Sequence, residues 1–213
     1  MNKFSTLYNK LFDLSLKTIT PITFKNLIKS NYIERNELIK LSTGHLYREM
    51  PIRFAHRIKD LNILPFGLNS NHNISLIRNW YLTSFEEITS KPEPKSNSEI
   101  EIFREDIEKI FNRHSSTLIT MSRGIIELKE AGYLNEKHDI DIQNLLNRFY
   151  RNRTEIRILL QQYLSLFDNY DNNMIFFATN QYVYKTTNAS TTYSQILSIT
   201  SSNTNINSLS MIS

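Results

Sequence analysis

Arg153 and Arg157 stand one helical turn apart in the stretch Phe149-Tyr150-Arg151-Asn152-Arg153-Thr154-Glu155-Ile156-Arg157-Ile158-Leu159-Leu160-Gln161. On a helix, Arg153, Ile156, Arg157 and Leu160 fall at i, i+3, i+4 and i+7 and share one face. Phe149 and Tyr163 flank that face, so it is predicted to point inward. A buried charge without a partner is very costly. Two inward arginines therefore need either a buried carboxylate network or a small anion. The bland alternative is a pair of surface arginines that snorkel over apolar neighbours or pair with Glu155 or an acid on another helix.

Other chemistry-bearing residues are fewer. His114 falls on an apolar stripe and reads either as a core histidine bonded to a neighbour or as a site group. Arg53 and Arg57, with His56 between them, share a face that is most simply a solvated one. The histidines 45, 56, 72, 114 and 138 show no pair with a carboxylate on a shared helical turn, so no metal site is expected. Walker, G-x-G-x-x-G and G-x-S-x-G patterns are absent, and no catalytic residue is assigned.

The elements that must position these groups are helical. Phe4 to Leu16 repeats apolar residues at helical spacing until Thr20-Pro21, and Thr23 to Lys29 makes a second short piece. Leu46, Met50, Phe54, Ile58 and Leu61 form a stripe interrupted by Pro51, which predicts a kink or a restart. Ile74, Ile77, Tyr81, Phe85 (or Ser84) and Ile88 give the next helix, with Asn73 as its expected cap. After the loop Lys91 to Asn97, Ser98 and Glu101 suggest a capping box. One long helix is then expected from Glu99 to about Ala131, with Ile100, Phe103, Ile107, Ile110, His114, Leu118, Met121, Ile125 and Leu128 inward and Gly132 as its stop. A last helix is expected from about Ile140 to Phe167. The predicted class is all-α: an antiparallel four-helix bundle with short amino-terminal helices and an irregular carboxy-terminal tail.

Composition supports this division. The chain has 213 residues, with only four glycines and five prolines, which disfavours a loop-rich β fold. The charge of +4 is spread along the chain, so nucleic acid is not an expected partner. The absence of cysteine removes disulfides, thiol catalysis and thiolate metal sites. No apolar run is long enough to span a bilayer. The first thirty residues carry Lys3, Lys10, Lys17, Lys25 and Lys29 against Asp13 alone. That start reads as an ordinary basic helix, with a cleavable organelle-targeting segment as the alternative. From Asn172 to Ser213 the only charged side chain is Lys185, and more than half of the residues are Ser, Thr, Asn or Gln. The expected division is a bundle over 1–171 and a polar, low-complexity, disordered tail over 172–213.

Five ordered blocks resemble one family. Glu49-Met50-Pro51-Ile52-Arg53-Phe54-Ala55 through Leu64-Pro65 resembles the ELP-x-R-x-A…LP segment of the mitochondrial pyruvate dehydrogenase kinases, which the branched-chain α-ketoacid dehydrogenase kinases share. Asn79-Trp80-Tyr81-Leu82-Thr83-Ser84-Phe85 looks like their next helix, and Asn112-Arg113-His114 matches their R-H pair. Met121-Ser122-Arg123-Gly124-Ile125-Ile126-Glu127 resembles their M-A-x-G-x-x-E, and Ile142 to Gln162 resembles their last bundle helix. Ala55 to Leu61 leans toward the branched-chain kinases. Asn79 to Ser84 and Asn147 to Arg153 lean toward the pyruvate kinases, which are favoured.

The resemblance implies a regulatory bundle of a protein serine/threonine kinase in the mitochondrial matrix. Such a kinase phosphorylates the E1 component of the complex, docks on the E2 lipoyl domain and is inhibited by a small keto acid. By that resemblance the acid pocket would use Phe54, Tyr81, Ser84, Ile110, His114, Asn152, Arg153, Ile156, Arg157 and Leu160. Arg153 would hold the carboxylate. Phe54 and Asn152 depart from the family's more usual aliphatic residue and serine. A lipoyl pocket would lie near Leu27, Ser30, His45 and Leu159, although Ser30 and His45 replace aromatic residues there. The family's ATP and magnesium need an E-x-x-x-N-A helix, a D-x-G-x-G turn and a glycine-rich lid. No glycine follows Gly132. The expectation is therefore a chain without the ATP-binding domain, inactive alone, whether as a truncated gene product or as a non-catalytic decoy.

Overall fold

A computed structural model describes residues 3–21 and 34–168. Six α-helices run in order: α1 (Lys3–Ser15), α2 (Arg35–Asn62), α3 (His72–Thr89), α4 (Asn97–Arg113), α5 (Thr117–Glu130) and α6 (Asp139–Ser165). No strand occurs among the described residues. Four rods make the bundle: α2, α3, the broken rod α4–α5, and α6. Short connections join them, so successive rods run antiparallel. α2 is the central rod and packs against α1, α3 and α6, while α6 also packs on α4. The core is one continuous cluster, with Met50, Phe54, Phe85, Ile107, Ile110, Met121, Ile125 and Leu160 fully buried.

Several sequence expectations shift in place. The expected piece from Thr23 to Lys29, and the tail from Asn172 onward, lie outside the described residues. α2 starts at Arg35, well before Leu46, and continues as one helix through Pro51. The cap of α3 is Asn71 rather than Asn73: its Oδ1 accepts from the Asn73 and Ile74 backbone N–H groups at 2.8 and 3.3 Å. The capping box of α4 is likewise two residues early. Ser96 Oγ accepts from the Glu99 N–H, and Glu99 accepts from the Ser96 N–H at 2.8 Å.

The expected long helix is broken. α4 ends at Arg113, a turn covers 114–116, and α5 starts at Thr117. Ser115, Ser116 and Thr117 supply the local reason, because such side chains compete with the backbone ladder and favour helix ends. The break rotates the buried face: Thr117, Thr120, Met121, Gly124 and Ile125 of α5 are buried, and Leu118 is only half-buried. Gly132 ends α5 at φ +77°, as a helix stop requires.

The Met121, Gly124 and Glu127 positions have a packing role. A Cβ on Gly124 would meet Asn71 Oδ1 at 2.7 Å, so a larger residue would have to displace the capping side chain on which α5 rests. Glu127 then accepts from Asn71 Nδ2 at 3.0 Å and Asn73 Nδ2 at 2.8 Å.

The row Glu49, Arg53 and Arg57 on α2 is buried, not solvated. The segment after α1 covers it: Thr20 donates its N–H to Glu49 Oε1 at 3.0 Å, and its carbonyl accepts from Arg53 Nη2. Arg53 Nε donates to Glu49 at 2.9 Å and Nη1 donates to Glu155 of α6 at 2.9 Å. Removing one partner of a buried pair strands the other charge. Glu49→Ala should therefore destabilise the chain by about 3–5 kcal/mol in urea unfolding. Glu155 is more than one-third exposed, and Glu155→Ala should cost about 1 kcal/mol or less.

Candidate functional site

α3, the turn that follows α4, and α6 bring Tyr81, Ser84, His114, Arg153 and Arg157 into one buried neighbourhood. Ser84 is fully buried, and Tyr81, His114, Arg153 and Arg157 are each less than one-tenth exposed. Phe54 from α2 lies against both rings that matter, with centroids 5.9 Å from Tyr81 and 5.8 Å from His114. The Tyr81 and His114 rings are 4.3 Å apart. Ile110, Ile156 and Leu160 complete the apolar wall as buried residues, and Asn152 is half-buried.

The broken rod is what makes the arginines tolerable. Arg153 Nη2 donates to the His114 and Ser115 carbonyls at 3.1 and 3.3 Å. Arg157 Nη1 donates to the Phe111 carbonyl at 3.3 Å, and its guanidinium lies 4.0 Å over the Phe111 ring. These carbonyls stand at the end of α4, where a continuous helix would have used them. Glu155 pairs with Arg53, so the alternative in which it serves the neighbouring arginines is not the arrangement observed.

His114 is both a bonded core histidine and an incomplete one. Arg113 grips the Glu87 carboxylate with two bonds of 2.6 and 2.7 Å and donates to Ser84 Oγ at 2.9 Å. Ser84 donates to the Trp80 carbonyl at 2.8 Å. Its remaining lone pair faces His114 Nε2 at 3.0 Å. A hydroxyl with its one proton committed must accept there, which places the imidazole proton on Nε2. Nδ1 is buried with no hydrogen-bond partner, and so is the Tyr81 hydroxyl. Burial, followed by the charges of Arg113, Arg153 and Arg157, pushes His114 down to about 3. Burial raises the Tyr81 phenol, against the pull of Arg153, Arg57 and Arg157. Both groups are therefore neutral near pH 7.

Arg57 was not among the expected site residues. It is buried, and burial lowers its pKa despite Asp60 nearby. The sequence signal was its place in a row beside the apolar stripe, four residues from Arg53 and eight from Glu49. The lipoyl set is less complete. Leu27 and Ser30 lie outside the described residues, His45 is exposed on α2, and Leu159 is half-buried on α6. Of the two glycines at positive φ, Gly67 caps the three-residue 3-10 turn Leu68–Ser70 and Gly132 follows α5.

Fold and site together define an all-α bundle with a cationic interior. The family model described as mitochondrial branched-chain alpha-ketoacid dehydrogenase kinase matches residues 21–197, and the chain belongs to that family. Among curated relatives, it is 30% identical to the human pyruvate dehydrogenase kinase isozyme 4 over 152 residues, which are 70% of this chain and 36% of that protein. It is 31% identical to human isozyme 3 over 70% of this chain and 36% of the relative. The Drosophila melanogaster pyruvate dehydrogenase kinase is 34% identical over 62% of this chain and 33% of its own. The chain thus spans about a third of the length of these relatives.

The depressed His114 pKa has a sign that can be tested. Its folded value, about 3, lies below the unfolded value near 6.5, so the unfolded chain binds the proton between them. Stability is full above pH 6.5 and falls as pH drops through that window. The loss should be about 2 kcal/mol between pH 6.5 and 5, read by urea unfolding. His114→Gln, which keeps a donor for Ser84, should flatten that slope.

Proposed function

We propose that this bundle is the acid-sensing regulatory region of a mitochondrial pyruvate dehydrogenase kinase, a protein serine/threonine kinase acting on the E1 component of the pyruvate dehydrogenase complex. The observation that carries the reading is a buried donor with no partner, the Tyr81 hydroxyl, in a neighbourhood whose field comes from arginines that include Arg153 and Arg157. Buried polar groups are normally satisfied, and each exception asks for a missing partner. A small carboxylate supplies one: its charge suits the arginines, and its oxygens accept from the Tyr81 hydroxyl. Arg153 is the residue that would hold the carboxylate, and Phe54, Ile110, Ile156 and Leu160 would exclude water around the acid's carbon skeleton.

The relatives' names support a mitochondrial location, while docking on the E2 lipoyl domain and the use of ATP and magnesium rest on the family resemblance alone. Of these, lipoyl docking has the least support in this chain, because His45 is exposed and polar.

Pyruvate or dichloroacetate should raise the melting temperature of the chain. At about ten times its Kd the stabilisation is about 1.4 kcal/mol, a shift of about 3 °C for a domain of this size. Arg153→Ala should abolish the rise. An undiminished shift in that variant removes Arg153 from the site.

A further inference from the structure

We propose, resting on the acid-site reading above, that Arg57 binds the ligand and selects acids carrying a second oxygen acceptor beside the carboxylate, as a 2-oxo acid does. Arg57 is 4% exposed. Its Nη2 forms an ion pair with Asp60 Oδ2 at 2.9 Å, whereas Nη1 is buried with no hydrogen-bond partner. Tyr81 stands within its electrostatic reach, and the Tyr81 hydroxyl also lacks a partner. Both groups carry a hydrogen to give: the guanidinium is only a donor, and the phenol keeps its proton because burial raises its pKa. No bond joins Arg57 to Tyr81, so neither answers the other. Both want an oxygen acceptor.

The kind of acceptor follows from charge. Arg57 already has a carboxylate on Nη2, and that carboxylate is one-third exposed. A second anionic group would have to be fully desolvated to reach a cation already half answered, and its Coulomb gain would not cover that cost. A neutral carbonyl oxygen carries no such penalty and has two lone pairs, enough for Nη1 and the Tyr81 hydroxyl together. The carboxylate of the same molecule belongs to Arg153, which projects from α6 while Arg57 projects from α2. The two arginines thus divide the ligand between them, with Tyr81 feeling the charge of both.

Pyruvate and propionate differ at one place, a carbonyl oxygen against two hydrogens, and make the test. Each is titrated into the 213-residue chain at pH 7 by calorimetry. Pyruvate should bind about tenfold to a hundredfold tighter, the span of one hydrogen bond to a charged donor. Arg57→Met should bring the two acids within about threefold of each other by weakening pyruvate, with propionate little changed. Arg57→Gln, which leaves a polar group for Asp60, should do the same and stands in if the Met variant does not fold. Equal binding of the two acids by the unmodified chain, or a preference that survives either variant, overturns the role of Arg57 and leaves the acid site standing. Failure of both acids to bind the unmodified chain overturns the acid site itself, and Arg57's role with it.

Discussion

Four guanidinium groups buried between α2, α4 and α6 set the terms for the rest of the bundle. Each must be answered inside the fold, because an unanswered buried cation costs more than the marginal stability of a domain allows. The answers differ. Arg53 takes carboxylates, from Glu49 on its own helix and Glu155 across the interface. Arg57 takes Asp60 on one nitrogen. Arg153 and Arg157 take backbone carbonyls at 111, 114 and 115. Those carbonyls are available because the third rod stops at Arg113 and restarts at Thr117. A helix end carries about half a negative charge on its unpaired carbonyls. The break in the rod is therefore part of the electrostatics of the site, not an accident of the connection.

A second layer of contacts holds that break in place. Arg113 and Glu87 clamp α4 to α3 with a bidentate pair, and the spare donor of Arg113 fixes the Ser84 hydroxyl. Ser84 in turn fixes the proton of His114. On the far side, Gly124 and Glu127 seat α5 on the capped start of α3 through Asn71 and Asn73. The two halves of the broken rod are thus each tied to α3, and the turn between them is free to point its carbonyls at α6.

Much of this was legible, and each failure has its own physical cause. Periodicity gave the inward faces of α3, α4 and α6 because each has one polar and one apolar side, so Tyr81, Ser84, His114 and Arg153 could be placed on inward faces before any geometry was known. It failed on α2, whose central place buries more than one face; a charged row beside a complete apolar stripe looks solvated until α1's following segment covers it. It also failed at the break, because Ile110, His114 and Leu118 keep a spacing of four straight through it. The cue was compositional, in Ser115-Ser116-Thr117, and a period cannot register it. The caps slipped by two residues because Ser96 with Glu99 and Ser98 with Glu101 satisfy the same pattern; contacts with Lys95 favour the first. The partners of buried charges were the least legible, since Glu155 sits beside Arg153 and Arg157 in sequence yet serves Arg53 across the bundle.

Stability alone does not account for such an interior. Replacing buried ion pairs by well-packed apolar residues is often neutral or favourable, so a bundle that needed only to fold could do without these arginines. Here Phe54, Ile110, Ile156 and Leu160 already supply an apolar wall around them. Against that wall, the Tyr81 hydroxyl, His114 Nδ1 and Arg57 Nη1 are left with hydrogen-bonding capacity unused. Each such atom forfeits about 1–3 kcal/mol of desolvation that folding does not return. Three of them in one neighbourhood make a sizeable deficit for a single domain. On the proposed reading, an acceptor-rich small acid would answer the two donors among them, the Tyr81 hydroxyl and Arg57 Nη1, and that share of the deficit would become a source of the ligand's affinity.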